Sequence, residues 1–190
     1  MSKWESELGL EYGLEDWERN WLNLRQCTVS LSFRETALKF FTRWYYTPQR
    51  IQQIFPQASP HCFRGCLTSG SFFHIFWDCE HVSSVWKKVF ELIDKLGGSQ
   101  TDLSYRQCLL FEKIPDTPRP LRRLIHTLCT AVLWVVAFNW KSPIVPFTQV
   151  LSRMDLIMLS EQIFHKLHDT VPIYEAKWNP WWLFRIQSQC

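Results

Sequence analysis

Three thiols and an imidazole fall within eighteen residues of this chain: Cys62, Cys66, His74 and Cys79, spaced Cys-x3-Cys-x7-His-x4-Cys. Three thiolates and one imidazole suit a borderline-soft ion in tetrahedral geometry, and zinc is the expected occupant. Four protein ligands leave no position for water, so such a centre is structural rather than catalytic. The residues between the donors fit this chemistry. Arg64 and Gly65 occupy the short loop between the first two thiols, where the chain must turn tightly, and Gly70 lets the longer loop fold back. The run from Phe72 to Trp77 supplies the apolar packing that a small metal module needs. A bound ion would contribute on the order of 10 kcal/mol, so the segment is expected to be unfolded without it. His61 and His81 flank the motif as alternative imidazoles. They rank behind His74 because His61 abuts Cys62, and Cys79 with His81 would form a very tight chelate. The competing reading is of ordinary buried cysteines around a core histidine.

The chain has 190 residues and seven cysteines, an odd number that no complete disulfide framework can use. Its opening residues, Met1 to Glu7, are polar and acidic, with no apolar leader. An intracellular, reducing compartment is therefore expected, cytoplasmic, nuclear or both, and there clustered cysteines bind metal more often than they pair. Cys27, Cys108, Cys129 and Cys190 read as small apolar residues or spare thiols.

A second constellation precedes the metal motif. Residues 33–55 interleave cations with rings, including Arg34, Lys39, Arg43, Trp44, Tyr45, Tyr46 and Arg50. Cations that follow phosphates and rings that stack on bases are how single-stranded nucleic acid is held. The charge agrees: the net +3 divides into −4 over residues 1–20, +5 over 21–77 and near neutrality beyond. The expected nucleic-acid contacts are Arg34, Lys39, Arg43, Trp44, Tyr45 and Arg50, with Arg64 in the loop beyond, and the expected partner is RNA or single-stranded DNA. The alternative places the rings in a core and the cations on a solvated face. No enzyme is expected. No nucleophile has a local base and orienting group, and neither phosphate-binding glycine loop nor an acidic pair for two metals is present.

The elements that must position these groups read as helices. Leu14, Trp17, Trp21 and Leu24 recur at helical spacing and predict a helix over 14–25. A second is expected over Glu35–Tyr46, with Leu38, Phe41 and Tyr45 on its stripe. Thr47-Pro48 reads as an N-cap followed by proline at the first helical position, opening a helix that stops before Pro56. His81–Leu96 has one apolar face from Val82 to Leu96 and a charged face opposite; Gly97-Gly98 ends it. Residues 99–120 are polar and proline-rich, the best internal boundary. Leu121–Trp140 is apolar, but its stretch free of strongly polar groups is shorter than the roughly 20 residues of a membrane span, so a buried core helix is expected and no membrane. A further helix is expected over Phe147–Leu167. The tail from Trp178 to Phe184 is expected to be extended by Pro180 and to bury its rings or bind something. These readings divide the chain into an acidic helical arm (1–30), basic-aromatic helices with the metal module and its following helix (31–98), a linker (99–120) and a C-terminal helical segment (121–190).

Taken together, Arg43-Trp44-Tyr45-Tyr46-Thr47-Pro48-Gln49-Arg50-Ile51, then Ile54-Phe55-Pro56, then Ser59-Pro60-His61-Cys62 resemble a known pattern. So do Cys62-Phe63-Arg64-Gly65-Cys66, Phe73-His74-Ile75-Phe76-Trp77-Asp78-Cys79 and Val85-Trp86-Lys87-Lys88-Val89. The pattern is that of the C-terminal cysteine-rich, zinc-knuckle-like region of LINE-class non-LTR retrotransposon reverse transcriptase polyproteins. The specific similarity covers about residues 34–96. It implies a helical region that binds nucleic acid and helps engage template RNA. By position it implies Cys62, Cys66, His74 and Cys79 as metal ligands, and Arg43, Tyr45 and Arg50 as RNA-facing. It also suggests the polymerase portion of a related polyprotein as a partner. The chain departs from the family in carrying neither endonuclease nor polymerase residues, and is expected to be a detached tail without catalysis. The overall expectation is an all-α domain with a zinc-stapled turn. The competing function is a protein-docking scaffold built on the long helices and the Trp-rich tail, or a decayed element product without selected function.

Overall fold

A computed structural model describes residues 2–97 and 103–188. Among these the chain is all-α, with nine α-helices: α1 (Ser2–Leu8), α2 (Leu14–Gln26), α3 (Leu31–Phe41), α4 (Pro48–Ile54), α5 (Glu80–Gly97), α6 (Tyr105–Leu109), α7 (Arg119–Phe138), α8 (Phe147–Leu167) and α9 (Val171–Gln187). A π-helical turn, His74–Asp78, joins the metal loop to α5. Extended backbone pairs only in an isolated bridge between His61 and Ser69 among the described residues. Gly98, positions 99–102 of the proline-rich stretch and Cys190 lie outside the described residues.

Helix α7 is the axis of the molecule. It buries Leu124, Ile125, Leu128, Leu133 and Val136 on several sides, because α2, α3, α5, α6, α8, α9 and the π-helical turn all pack on it. A helix that is apolar around most of its circumference must be covered in this way. By length and composition it is the one described helix that could cross a membrane, and 67% of its most apolar window is buried inside the protein.

The boundaries of α2, α5 and α8 match the periodicity closely, since each has a face that a core can bury. Three expectations are corrected. First, α3 starts at Leu31 and ends at Phe41 rather than running to Tyr46. Its buried stripe is Phe33, Ala37, Phe40 and Phe41, while Leu38 faces solvent. Arg43 ends it in the left-handed region (φ 55°). There the amide of Trp44 donates to Lys39 O and that of Arg43 to Phe40 O, the paired bonds of a Schellman turn.

Second, the described part of the 99–120 stretch is packed rather than free. It forms α6 and buries Cys108, Leu109, Leu110, Phe111 and Ile114 in the same core as the rest. Third, the tail is helical. Pro180 lies inside α9, where its missing N–H costs a backbone bond. Long-range contacts offset that loss. Trp178 Nε1 donates to Glu161 and Trp181 Nε1 to Asp155, both on α8, at 2.7 and 3.0 Å. Lys177 Nζ sits 2.8 Å from both Glu161 carboxylate oxygens and also donates to Cys27 O.

Candidate metal centre and basic-aromatic surface

Local sequence brings the four donors together in three short steps. Pro60 O accepts the amide of Gly70, and Cys62 donates to Thr68 O, so the first two thiols lie on a closed loop. Gly65, at φ +86°, makes the turn between them in a conformation that a side chain would strain. Gly70 lies so close to α4 that a Cβ there would fall 2.5 Å from Pro48 Cγ. The π-helical turn then carries His74 and delivers Cys79 to the start of α5, closed by the amide of Cys79 donating to His74 O at 2.8 Å. Such wide turns are often found at functional sites.

The donor atoms of Cys62, Cys66, His74 and Cys79 lie within 4.8 Å of one another. Cys66 Sγ is 3.1 Å from His74 Nε2 and 3.9 Å from Cys79 Sγ. Donors around a tetrahedral thiolate–imidazole centre sit roughly 3.5–3.8 Å apart, so small movements close this group on an ion. The backbone around the sulfurs agrees. The Arg64 amide donates to Cys62 Sγ at 3.5 Å, and the amides of Thr68 and His81 serve Cys66 and Cys79 in the same way. Backbone N–H donation of this kind favours the thiolate at Cys66 and Cys79.

Burial pushes the Cys66 thiol up, and Cys62 beside it adds to the rise. Burial acts the same way on Cys79, but His74, the His81 amide and the Arg64 guanidinium outweigh it and bring that thiol below its ordinary value. His74 Nδ1 is buried without a hydrogen-bond partner and lies 3.8 Å from the Asp78 carboxylate. A carboxylate on that side is what orients a ligating imidazole. Asp78, one helical turn after His74, places a carboxylate on that side without bonding to the ring, and sequence reasoning missed it. The group can hold a metal ion. His61 and His81 lie outside it.

The residues expected to touch nucleic acid separate into two sets. Arg64 is a correction: it is 5% exposed, with Nη1 donating to Ile75 O and Nη2 to Val136 O. Its charge is spent inside the protein, pinning the metal loop to α7. Tyr45 is half-buried and stacks on Trp140 with ring centroids 5.6 Å apart. Arg43 is held between the rings of Trp4 and Phe72, 4.7 Å from each, and pairs with Glu7 of the acidic arm. Lys39 pairs with Glu35 one turn back, and Arg34 is half-buried.

The remaining two are an exposed ring and a half-buried cation. Trp44 is 66% exposed. The Arg50 guanidinium lies 4.3 Å over the ring of Tyr46, itself 53% exposed, and donates to Arg43 O. Arg43 and Arg50 line a groove of about 630 Å³ whose other walls include Lys3, Glu7, Gln49 and Gln53. Tyr46 belongs with the surface set although sequence reasoning chose its neighbour. The turn at Arg43 decides which ring faces out, and no helical extrapolation through residue 46 reveals it. No known family model matches the chain, so the resemblance rests on the quoted residues alone.

Proposed function

We propose that this chain is a non-catalytic nucleic-acid-binding module, stapled by a structural zinc ion on Cys62, Cys66, His74 and Cys79. Its ligand is RNA or single-stranded DNA, and its origin is the cysteine-rich tail region of a non-LTR retrotransposon polyprotein. Zinc is favoured over harder cations because three of the four donors are sulfur. The six described cysteines are free thiols, which agrees with a reducing compartment such as cytoplasm or nucleus.

The observation that carries the reading is the turn ending α3. It projects Trp44 and Tyr46 outward beside Arg50, so exposed rings and a cation share one short stretch directly ahead of the metal loop. Rings that stack on bases contribute roughly 1–3 kcal/mol each. In this reading Arg34 serves the phosphates, as do Arg43 and Lys39 once their acidic partners Glu7 and Glu35 exchange, and Tyr45 supports the surface from beneath.

The test is fluorescence anisotropy with a generic single-stranded RNA over a salt series, with and without a chelator. Binding should fall steeply as salt rises, by a log–log slope of about −0.7 per neutralised phosphate. Chelation should abolish it. Trp44→Ala and Tyr46→Ala should each weaken binding about 5- to 100-fold. Absence of binding by zinc-loaded protein at low salt would sink the reading. A protein-docking role, including docking to the polymerase portion of a related polyprotein, is the second reading. Apolar side chains left exposed on α8 and α9 favour it.

A further inference from the structure

We propose that the C-terminal end of α7, together with Phe63 of the metal loop, is a second contact for single-stranded nucleic acid, an inference that rests on the reading given above. Planar groups are stacked there. The Arg153 guanidinium, from α8, lies 3.5 Å over the ring of Trp134. Trp134 stacks in turn on Phe138, one helical turn along α7, with centroids 4.9 Å apart and planes 11° from parallel. Phe138 is 67% exposed, so the stack ends on an open ring. An open ring of this kind is where an unpaired base stacks.

The charges give the sign of the ligand. Residues 117–154 contain no aspartate or glutamate, against Arg119, Arg122, Arg123, Lys141 and Arg153. Arg153 and Lys141 have no carboxylate partner among the described residues. Each rests on a ring instead, Arg153 on Trp134 and Lys141 with Nζ 5.3 Å from the ring of Phe63. The next acid along α8, Asp155, is taken up by Trp181 and Arg185. The two cations therefore keep donors for phosphate. An acidic peptide would neutralise them and leave Phe138 bare. Single-stranded nucleic acid supplies an anion and a flat ring in every nucleotide, and so fits both features.

This contact is linked to the surface at Trp44 and Tyr46. Trp140, just beyond α7, lies 6.4 Å from Phe63 and stacks on Tyr45 at 5.6 Å. Tyr45 stands between Trp44 and Tyr46 in the chain. Trp140 and Tyr45, both half-buried, form the floor between the two contacts. Phe63 directly follows Cys62, so an ion bound at that thiol also holds the ring of Phe63 in place against Trp140. On the other side, Glu80 lines the surface at Pro143–Val145. A carboxylate there repels phosphate and turns the strand toward Phe63.

The test is fluorescence anisotropy of the full zinc-loaded chain with a generic single-stranded RNA over a salt series. Phe138→Ala should weaken binding about 5- to 100-fold with unchanged circular dichroism and zinc content. Lys141→Gln and Arg153→Gln should each make the log–log salt slope shallower by about 0.7. Lys141→Gln, at an exposed side chain, keeps the test sound should Phe138→Ala disturb α7. Photocross-linking to thiouridine-substituted RNA should label peptides from both 44–50 and 134–141. Binding that is indifferent to all three variants, while Trp44→Ala still weakens it, overturns this proposal and leaves the nucleic-acid reading standing. Labelling confined to 44–50 overturns it as well. Absence of any binding by the zinc-loaded wild type at low salt overturns both.

Discussion

The guanidinium of Arg64 donates to the carbonyl of Val136, on α7, at 3.4 Å, and to Ile75 O in the π-helical turn at 3.2 Å. One buried cation thus ties the loop between two ligand thiols to the central helix. Its positive charge also lies close enough to favour the Cys79 thiolate.

Replacing that cation tests the tie. Arg64→Ala leaves buried carbonyls unpaired and removes a counter-charge from the thiolates, so stability to urea should fall by about 3 kcal/mol. Arg64→Lys should recover little, because one ammonium cannot reproduce the planar fork that reaches two carbonyls.

Removing the metal, or one ligand, should release the segment from Pro60 to Cys79. Cys62→Ser and Cys79→Ser are expected to abolish stoichiometric zinc in freshly purified protein, and limited proteolysis should then cut within the loop. The lost contribution is on the order of 10 kcal/mol. Identical melting curves with and without chelator would count heavily against a structural ion.

Gly70→Ala probes the contact between α4 and the metal loop. The added Cβ would meet Pro48 Cγ at 2.5 Å, and the ring cannot rotate away, so backbone must shift. A loss of about 1–3 kcal/mol is expected, with weaker zinc retention in a competition against a chromogenic chelator. Gly9→Ala, where a Cβ meets nothing within 4 Å but φ is +60°, should cost about 1 kcal/mol from backbone strain alone.

His126 predicts an acid-side weakening. Burial holds its imidazole down to about 4, against an ordinary 6.5. The folded state therefore keeps it neutral while the unfolded chain takes up a proton. Stability is full above about pH 6.5 and falls by about 3 kcal/mol as pH drops through 4. His126→Gln should flatten that part of the stability curve in urea titrations run from pH 7 to pH 4.

Much of the local order was legible. Thr47 caps α4 through its hydroxyl, which accepts the Arg50 amide at 3.3 Å, and Pro48 follows at the first helical position. That motif depends only on neighbours three residues apart, so the letters carry it. The four metal donors were legible for the same reason, since two short loops and one helical turn bring them together. Arg64 was not. A cation two residues from a ligand reads as a surface charge until a helix over seventy residues away supplies a carbonyl. Tyr45 and Tyr46 are adjacent and chemically alike, and the left-handed turn at Arg43 alone decides which one packs on Trp140 and which one faces out.

What the sequence determined by itself, then, is the helical class, the four side chains that could hold a metal and most helix boundaries. Each depends on periodicity, caps or spacings that act within a few residues. What only the tertiary structure decided is the fate of the charges and the tryptophans. Pro180 argued for an extended tail, yet Glu161 and Asp155 on α8 hold Trp178 and Trp181 in a helix. The physical reason is one of range: a proline removes one local bond, whereas burying two indoles against satisfied carboxylates gains more, and only the folded chain brings those groups together.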